Sequence, residues 1–229
     1  MIAIIPAAGL GTRMASRQAK QFIDLYGKPI LAITLSHFQQ CSSIDKIVVV
    51  VSEHDVDYCS REIVDRYKQS KVVRVIAGGK TRQDSVRKGL EVIGDFCRWV
   101  LIHDGVRPFI TVEFIERVIK AAKKFRAVTP GLPVKETVKQ LDIQNMVLQS
   151  IDRSHLWLIQ TPQIFRLEDI KLAHRKAIEN GWEGATDDAF LVEKMGIPVK
   201  LIQGEENNIK ITTHRDLDIA RFFMSKNNS

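Results

Sequence analysis

Short apolar runs alternate along this chain with segments in which apolar residues recur every three or four positions. The runs predict strands, and a continuous run such as 47–51 is typical of a strand buried on both faces. The spaced patterns predict helices, and strands followed by helices indicate βαβ units and a largely parallel sheet. Strands are predicted at 2–5, 46–51, 72–76, 99–103, 127–130 and 199–202. Helices are predicted at about 29–40, 55–68, 82–94, 112–125, 167–180, 187–195 and 214–224.

The segment from about 133 to 159 breaks this rhythm. It has no clean helical pattern, and polar and apolar residues partly alternate, as in 137–141. This pattern predicts a β-hairpin or arm that leaves the sheet, and an exposed hairpin is often covered by a partner. With 229 residues, of which 45% are hydrophobic, the chain suits a single α/β domain over 1–229 that carries this arm.

Composition narrows the possible functions. No apolar run approaches the roughly 20 residues of a membrane span, and residues 2–5 do not form a secretory signal, so a cytoplasmic location is expected. The net charge of +7 is dispersed and aromatic residues make up 7%, whereas a nucleic-acid-binding module needs a clustered basic face or interleaved aromatics. Cys41, Cys59 and Cys97 have neither disulfide nor metal-ligand spacing and are expected to be reduced thiols.

The richest chemistry lies in the loop after the first strand, Pro6-Ala7-Ala8-Gly9-Leu10-Gly11-Thr12-Arg13-Met14, with Lys20 beyond it. Small residues expose backbone N–H groups and admit a ligand closely, and the two cations add fixed positive charge. The combination suits a triphosphate. It is neither a G-x-x-x-x-G-K-[ST] loop nor a G-x-G-x-x-G dinucleotide fingerprint, because Met14 occupies the third glycine position. The alternative is an ordinary turn with incidental cations.

Two further blocks follow strands at what would be the same sheet edge. Gly78-Gly79-Lys80-Thr81-Arg82-Gln83-Asp84-Ser85 opens a helix, so its free N–H groups, Arg82 and a hydroxyl can hold a base or ribose; a capped turn is the alternative. Asp104, after the fourth strand, could hold a divalent metal or a ribose, or could simply pair with Arg107. His103 alone is more typical of a packed histidine. Thr186 and Thr213 precede acidic residues and predict helix N-caps.

Taken together, nine blocks resemble the sugar-phosphate cytidylyltransferases, and among them the family that acts on 2-C-methyl-D-erythritol 4-phosphate. The blocks are P-A-A-G-L-G-T-R-M at 6–14, K-Q-F at 20–22, G-K-P-I-L at 27–31, G-G-K-T-R-Q-D-S-V at 78–86, H-D-G-V-R-P at 103–108, P-V-K-E-T-V-K at 133–139, Q-T-P-Q-I-F at 160–165, T-D-D-A at 186–189 and N-I-K-I-T at 208–212. They occur in the family's order and span nearly the whole chain.

This resemblance implies a Rossmann-like nucleotidyltransferase fold, a homodimer built through the arm, and transfer of CMP from CTP to methylerythritol phosphate with Mg²⁺. The residues implied at the reacting phosphates are Arg13, Lys20 and Lys210. The nucleotide site would comprise Ala7, Ala8, Gly9, Gly11, Gly79, Arg82, Ser85, Asp104 and Gly105. The acceptor would be held by Asp104, Arg107 and Thr186, and by Thr137 and Arg153 from the partner's arm. Asp104 is also the candidate metal ligand.

The chain departs from the family pattern at two places. Gly105 and Val106 stand where two alanines are common, and Ala19 stands where proline is common before the lysine. The charged positions are unchanged. A ribitol-5-phosphate cytidylyltransferase shares most of these blocks and stays an alternative, and a basic nucleic-acid-binding module is the alternative from another class.

Overall fold

A computed structural model of the chain describes residues 1–9, 19–94 and 97–227. Arg13 and Gly11, assigned above to the phosphates and the nucleotide, lie outside the described residues. The strands are β1 (Ile2–Pro6), β2 (Asp24–Leu25), β3 (Lys28–Pro29), β4 (Lys46–Val51), β5 (Val72–Ala77), β6 (Trp99–Ile102), β7 (Ala127–Pro133), β8 (Val138–Leu141), β9 (Val147–Ile151), β10 (Trp157–Ile159), β11 (Gln163–Arg166) and β12 (Lys200–Gln203). The α-helices are α1 (Ile30–Gln40), α2 (Val56–Tyr58), α3 (Arg82–Val92), α4 (Val112–Ala122), α5 (Leu167–Glu179), α6 (Ala189–Lys194) and α7 (His214–Asn227).

The main sheet is mixed and mostly parallel. Its strands follow the order β10-β7-β11-β6-β1-β4-β5, and β12 also pairs with β7. The β6-β1-β4-β5 part is parallel throughout, as is the β12–β7 pair. β10 and β11 run antiparallel to β7, and β11 is also antiparallel to β6. The βαβ order therefore puts the ends of β1, β4, β5 and β6 at one edge of the sheet.

Helices cover both faces of this sheet, because alternate strand residues enter two separate cores. Along β1, Ala3 and Ile5 share a core with residues of α1 and α4, whereas Ile2 and Ile4 share one with residues of α3 and α5. β4 divides between the same two cores, and each of its residues 47–51 is at most 1% exposed. The continuous apolar run seen in the sequence is thus the signature of a strand that is covered on two sides.

Every predicted strand and helix is present, and most of their ends differ from the predicted positions by a few residues. The predicted helix at 55–68 is α2 continued by a π-helical stretch, Cys59–Asp65. Two strands of the main sheet, β10 and β11, were not predicted. The four residues of β11 are too short for a periodic signal, and their position between β6 and β7 depends on partners more than 30 residues away.

The predicted arm region divides into two parts. β8 and β9 form a separate antiparallel hairpin, whereas β10 returns to pair with β7 in the main sheet. The hairpin carries several exposed apolar side chains, which are Leu141, Ile143, Met146, Val147 and Leu148. A hairpin of this kind has little stability alone, and exposed apolar surface of this kind is typical of a contact site for another protein surface. Across the described residues, no helix has the length and apolar character to cross a membrane.

Candidate active site

A cleft of about 630 Å³ opens where the parallel strands end. Residues following β1 (Ala7–Gly9), β4 (Ser52–His54), β5 (78–81) and β6 (Asp104 and Val106) line it. Open α/β sheets bind ligands at the carboxyl ends of their strands, where loops diverge and leave a crevice. A cleft of this volume is within the range that takes a small-molecule ligand.

The loops after β1 and β5 meet because their contact residues are small. A Cβ atom on Gly78 would lie 2.7 Å from the Cβ of Ala8, and one on Gly79 would lie 2.2 Å from the Cβ of Asp84. Only glycine fits at either position without displacing its neighbour. The loop after β5 therefore faces the loop after β1, as the sequence predicted, and a ligand between them can reach the backbone of both.

α3 begins at the cleft with a complete capping box. Thr81 Oγ1 accepts from the Asp84 N–H at 3.0 Å, and Asp84 Oδ2 accepts from the Thr81 N–H at 3.3 Å. Ser85 Oγ accepts from the Gly79 N–H at 3.1 Å and donates to the Thr81 carbonyl at 2.9 Å. These bonds orient the positive end of the α3 dipole toward the cleft, which favours an anion there. The capped turn is thus present, and binding of a ligand at this helix start stays a prediction.

Asp104 is the centre of the charged groups in the cleft. Its Oδ1 accepts from Arg82 Nε at 2.9 Å, and its Oδ2 lies 2.9 Å from Lys210 Nζ and 3.5 Å from Arg107 Nε. Burial alone would raise the pKa of Asp104, but the charges of Arg82, Lys210 and Arg107 lower the pKa well below its usual range. The carboxylate is therefore charged at neutral pH. The predicted Asp104–Arg107 pair exists, and it is the longest of the three contacts.

The backbone of the turn that carries Asp104 is fixed by a buried hydrogen-bond chain. The Asp104 N–H donates to Thr161 Oγ1 at 3.1 Å, and that hydroxyl lies 3.0 Å from His103 Nδ1. His103 Nε2 faces the Arg107 carbonyl at 3.3 Å, so Nε2 carries the proton and Nδ1 accepts from the hydroxyl. Burial lowers the pKa of His103 to about 3, which keeps this ring neutral. His103 is a packed histidine, as expected.

Lys20 and Lys210 reach the cleft from segments that are anchored by buried neighbours. Lys20 begins a single 3₁₀ turn whose next residues, Gln21 and Phe22, are buried. Lys210 lies between Asn208 and Ile211, both fully buried; Asn208 Nδ2 donates to the Thr161 carbonyl at 2.8 Å, and the Ile211 N–H donates to the Val106 carbonyl at 2.9 Å. The backbone next to each lysine is thereby anchored by buried residues.

Most of the predicted residues meet in this cleft. Those lining it are Ala7, Ala8, Gly9, Lys20, Gly79, Arg82, Ser85, Asp104 and Lys210. Gly105 and Arg107 lie beneath the lining. The Gly105 N–H donates to the Pro6 carbonyl at 3.0 Å, and Arg107 Nη1 donates to the Asn208 carbonyl at 2.7 Å. Arg107 thus has a structural contact, and a role in holding the acceptor stays a prediction.

Thr186, Thr137 and Arg153 are exposed and do not line the cleft. Arg153 Nη1 donates to the Lys135 carbonyl at the base of the hairpin. The predicted N-cap at Thr186 is wrong, because Asp187 Oδ1 accepts from the Phe190 N–H at 3.1 Å instead. The predicted cap at Thr213 is confirmed: its hydroxyl accepts from the Asp216 N–H at 3.2 Å.

Several lining residues were missed from the sequence, among them Ser52, Glu53, His54 and Lys88. The first three directly follow β4, so the rule that parallel strands end at one edge could have found them. Lys88 lies one helical turn beyond Ser85, on the same face of α3, and its Nζ donates to the Gly78 carbonyl at 2.8 Å.

Comparison with known proteins gives one consistent family. A family model described as IspD, 2-C-methyl-D-erythritol 4-phosphate cytidylyltransferase, matches residues 1–226. The protein of that name from Caldanaerobacter subterraneus subsp. tengcongensis is 44% identical over 224 residues, which is 98% of each chain. Its counterpart from Clostridium novyi is 45% identical over 218 residues, 95% of this chain and 94% of that one. The crystal structure of 4-diphosphocytidyl-2C-methyl-D-erythritol synthase from Anaerococcus prevotii superposes with a TM-score of 0.85 at 34% identity, covering 98% of this chain and 95% of that one.

Thr161→Val tests the hydrogen-bond chain beneath Asp104. The change keeps the side-chain shape but leaves the Asp104 N–H without its acceptor and His103 Nδ1 without its donor. Because both groups are buried, we expect a loss of about 2–3 kcal/mol in the free energy of unfolding, measured by urea denaturation. Thr161→Ser is the matched control, which keeps the hydroxyl and should cost about 1 kcal/mol for the lost methyl. Equal losses in both variants would contradict the proposed bonding.

Proposed function

The chain belongs to the 2-C-methyl-D-erythritol 4-phosphate cytidylyltransferase family, and from this membership we propose how its cleft carries out the reaction. The enzyme transfers CMP from CTP to 2-C-methyl-D-erythritol 4-phosphate, and the products are 4-diphosphocytidyl-2-C-methyl-D-erythritol and pyrophosphate, in the pathway to isoprenoid precursors. It is a nucleotidyltransferase, and its mixed, mostly parallel sheet flanked by helices is the fold of its structural relatives.

The charge balance of the cleft is the observation that supports this proposal. Among the described residues, five cations line it, against the carboxylates of Asp104 and Glu53; the cations are Lys20, Lys80, Arg82, Lys88 and Lys210. A triphosphate and a phosphate monoester together bring several negative charges into one small volume. An excess of positive charge lowers the repulsion between them, and hydrogen bonds or ion pairs already position Arg82, Lys88 and Lys210.

No general base is needed for this reaction. The second pKa of a phosphate monoester is about 6, so the acceptor phosphate is largely a dianion at neutral pH. One of its oxygens attacks the α-phosphorus of CTP and forms the new P–O bond, while the bond from that phosphorus to the bridging oxygen breaks and pyrophosphate leaves. We assign Arg13, Lys20 and Lys210 to stabilising the charge on the α-phosphate and the leaving group. Catalysis is then positioning and electrostatics.

A divalent cation in this cleft would need oxygen ligands from both the protein and the nucleotide. The described residues hold no cluster of three or more His, Cys, Asp or Glu side chains that could bind a metal without the nucleotide. Mg²⁺ accepts one carboxylate together with phosphate oxygens, and a carboxylate has about four lone-pair sites, one more than the three that the cations Arg82, Lys210 and Arg107 face on Asp104. We propose Asp104 as its protein ligand. The ion would neutralise phosphate charge.

The remaining assignments follow the same proposal. Ala7, Ala8, Gly9, Gly11, Gly79, Arg82, Ser85, Asp104 and Gly105 hold the nucleotide, and Asp104, Arg107 and Thr186 hold the acceptor. The chain works as a single nucleotidyltransferase domain in the cytoplasm, where its three cysteines persist as free thiols. The exposed apolar side chains of the hairpin support a homodimer in which Thr137 and Arg153 reach the partner's cleft.

Pyrophosphate release tests the choice of acceptor. With CTP and Mg²⁺, we expect release with 2-C-methyl-D-erythritol 4-phosphate and none above background with ribitol 5-phosphate. Release with ribitol 5-phosphate alone would keep the fold and the cationic cleft but would assign the chain to the alternative acceptor. No release with either compound from folded protein would contradict the proposed reaction.

Lys20→Ala and Arg13→Ala test the electrostatic mechanism. Each removes a cation assigned to the transition state, so kcat should fall about 10²–10³-fold, as for loss of one preorganised donor. The free energy of unfolding of Lys20→Ala should change by only about 0.5 kcal/mol, because Lys20 lies outside the apolar cores. Lys123→Ala, at the exposed end of α4, is the control for loss of one positive charge and should leave kcat unchanged. Near-normal turnover in both Lys20→Ala and Arg13→Ala would contradict the mechanism.

Mixed dimers test whether the arm serves the partner's cleft. Arg153→Ala alone should mainly raise the KM for the acceptor. When Lys20→Ala and Arg153→Ala chains are unfolded, mixed in equal amounts and refolded, each mixed dimer has one cleft with an intact Lys20 and an intact partner arm. At an acceptor concentration well below the KM of the Arg153→Ala variant, where that variant is nearly inactive, we expect recovery to about a quarter of the wild-type rate, since half of randomly paired dimers are mixed. Recovery would be absent if each arm served its own cleft.

A further inference from the structure

The segment 182–188, which carries Thr186, is held by two consecutive residues at the start of α3. Gln83 Nε2 donates to the Trp182 carbonyl at 3.0 Å, and Gln83 Oε1 accepts from the Ala185 N–H at 3.3 Å. Its neighbour Arg82 donates through Nη1 to Asp188 Oδ2 at 2.8 Å. These contacts span about 100 residues of sequence, and they bind both ends of the segment to one helical turn.

Arg82 is bonded on both sides. While Nη1 holds Asp188, Nε donates to Asp104 Oδ1 at 2.9 Å. A guanidinium group is planar and rigid, so its two nitrogens fix the distance and direction between the two carboxylates. Two carboxylates from distant parts of the chain are thus held in one geometry by a single side chain. One of them lies in the cleft, and the other ends the segment that carries Thr186.

Asp188 itself has little freedom to move. Its side chain is 1% exposed, and its N–H donates to Gln163 Oε1 at 3.0 Å, while Gln163 Nε2 donates to Asp187 Oδ2 at 2.7 Å. Its second oxygen, Oδ1, lies 3.6 Å from Nε2 of the buried His174 on α5. Burial would raise the pKa of Asp188, but Arg82 and His174 lower it, so the group is a carboxylate at neutral pH. The far side of Arg82 is therefore a fixed, charged anchor.

We propose that Asp188 and Gln83 are positioning residues for the acceptor: they set the segment 182–188 against Asp104 through α3 without touching either substrate. This inference rests on the proposed function, in which Thr186 and Asp104 both hold the acceptor. The two acceptor contacts belong to distant parts of the chain, and the Asp188–Arg82–Asp104 bridge sets the spacing between them. Arg82 and Asp104 are also assigned to the nucleotide, whereas Gln83 bonds only the segment 182–188 among its printed side-chain contacts.

The test separates the two substrates. Asp188→Asn removes the charge that anchors Arg82 but keeps the side-chain shape, and Gln83→Met removes both bonds to the segment from a position outside the cleft lining. We expect Gln83→Met to raise the KM for 2-C-methyl-D-erythritol 4-phosphate about tenfold and to leave the KM for CTP within about twofold. Asp188→Asn also releases Arg82 from one of its two carboxylates, so it should raise the acceptor KM about tenfold and the CTP KM by a clearly smaller factor. Asp188→Glu keeps the charge and should recover part of the loss. Gln83→Met keeps the test available if Asp188→Asn does not fold.

Asp169→Asn is the matched control. Asp169 is another buried aspartate, it accepts from Arg126 Nε at 2.9 Å, and it lies on α5 outside the cleft lining. This variant should lose thermal stability with both KM values unchanged, which is what a purely structural role produces. An unchanged acceptor KM, an equal rise in both KM values, or a fall in kcat alone in the two test variants would overturn the inference. A wild-type enzyme inactive with this acceptor would instead contradict the proposed function.

Discussion

The carboxylate of Asp104, surrounded by three cations, is the constraint on which the rest of the site depends. Asp104 lies just after β6, and its partners come from the start of α3 (Arg82), from its own turn (Arg107) and from the segment after β12 (Lys210). Because the pKa of this carboxyl is held well below its usual range, Asp104 is a charged carboxylate at neutral pH. Three separate stretches of chain therefore converge on one oxygen pair, and their contacts with Asp104 hold them against one another.

The part of this architecture that depends on local pattern could be predicted from the sequence. A few neighbouring residues are enough to recognise three of its features, which are the continuous apolar run in β4, the glycines at 78 and 79 and the acid after β6. Convergence of the loops then follows from the parallel order of the strands. β11 could not be predicted in this way, because a strand of only four residues forms through its pairing with the strands on either side, β6 and β7. Its first residue, Gln163, was quoted in a motif, yet nothing local shows that it holds Asp187 and Asp188.

Long-range partners account for the rest of what the sequence did not reveal. The local spacing of Asp104 and Arg107 predicted an ion pair correctly, but the shorter contacts of Asp104 are with Arg82 and Lys210, which lie 22 and 106 positions away. Thr186 resembled a helix cap because a hydroxyl precedes two acids, whereas the fold uses Asp187 for that bond. Spacing along the chain can indicate which groups are able to interact, and only the fold selects among them.

The buried charges of this site are poor candidates for a stabilising device. Desolvating an ion pair costs several kcal/mol, and replacing such a pair with apolar residues of similar volume is often neutral or stabilising. Asp104 and Asp188 are both almost completely buried, and Arg82 lies between them with one terminal nitrogen, Nη2, that has no hydrogen-bond partner among the described residues. A core built only for stability would favour apolar side chains, and isoleucine and valine predominate in the two cores of the sheet. The network is better explained by its geometry. Hydrogen bonds between charged groups set the angles as well as the distances between side chains, and a reaction between two anions requires that both be controlled.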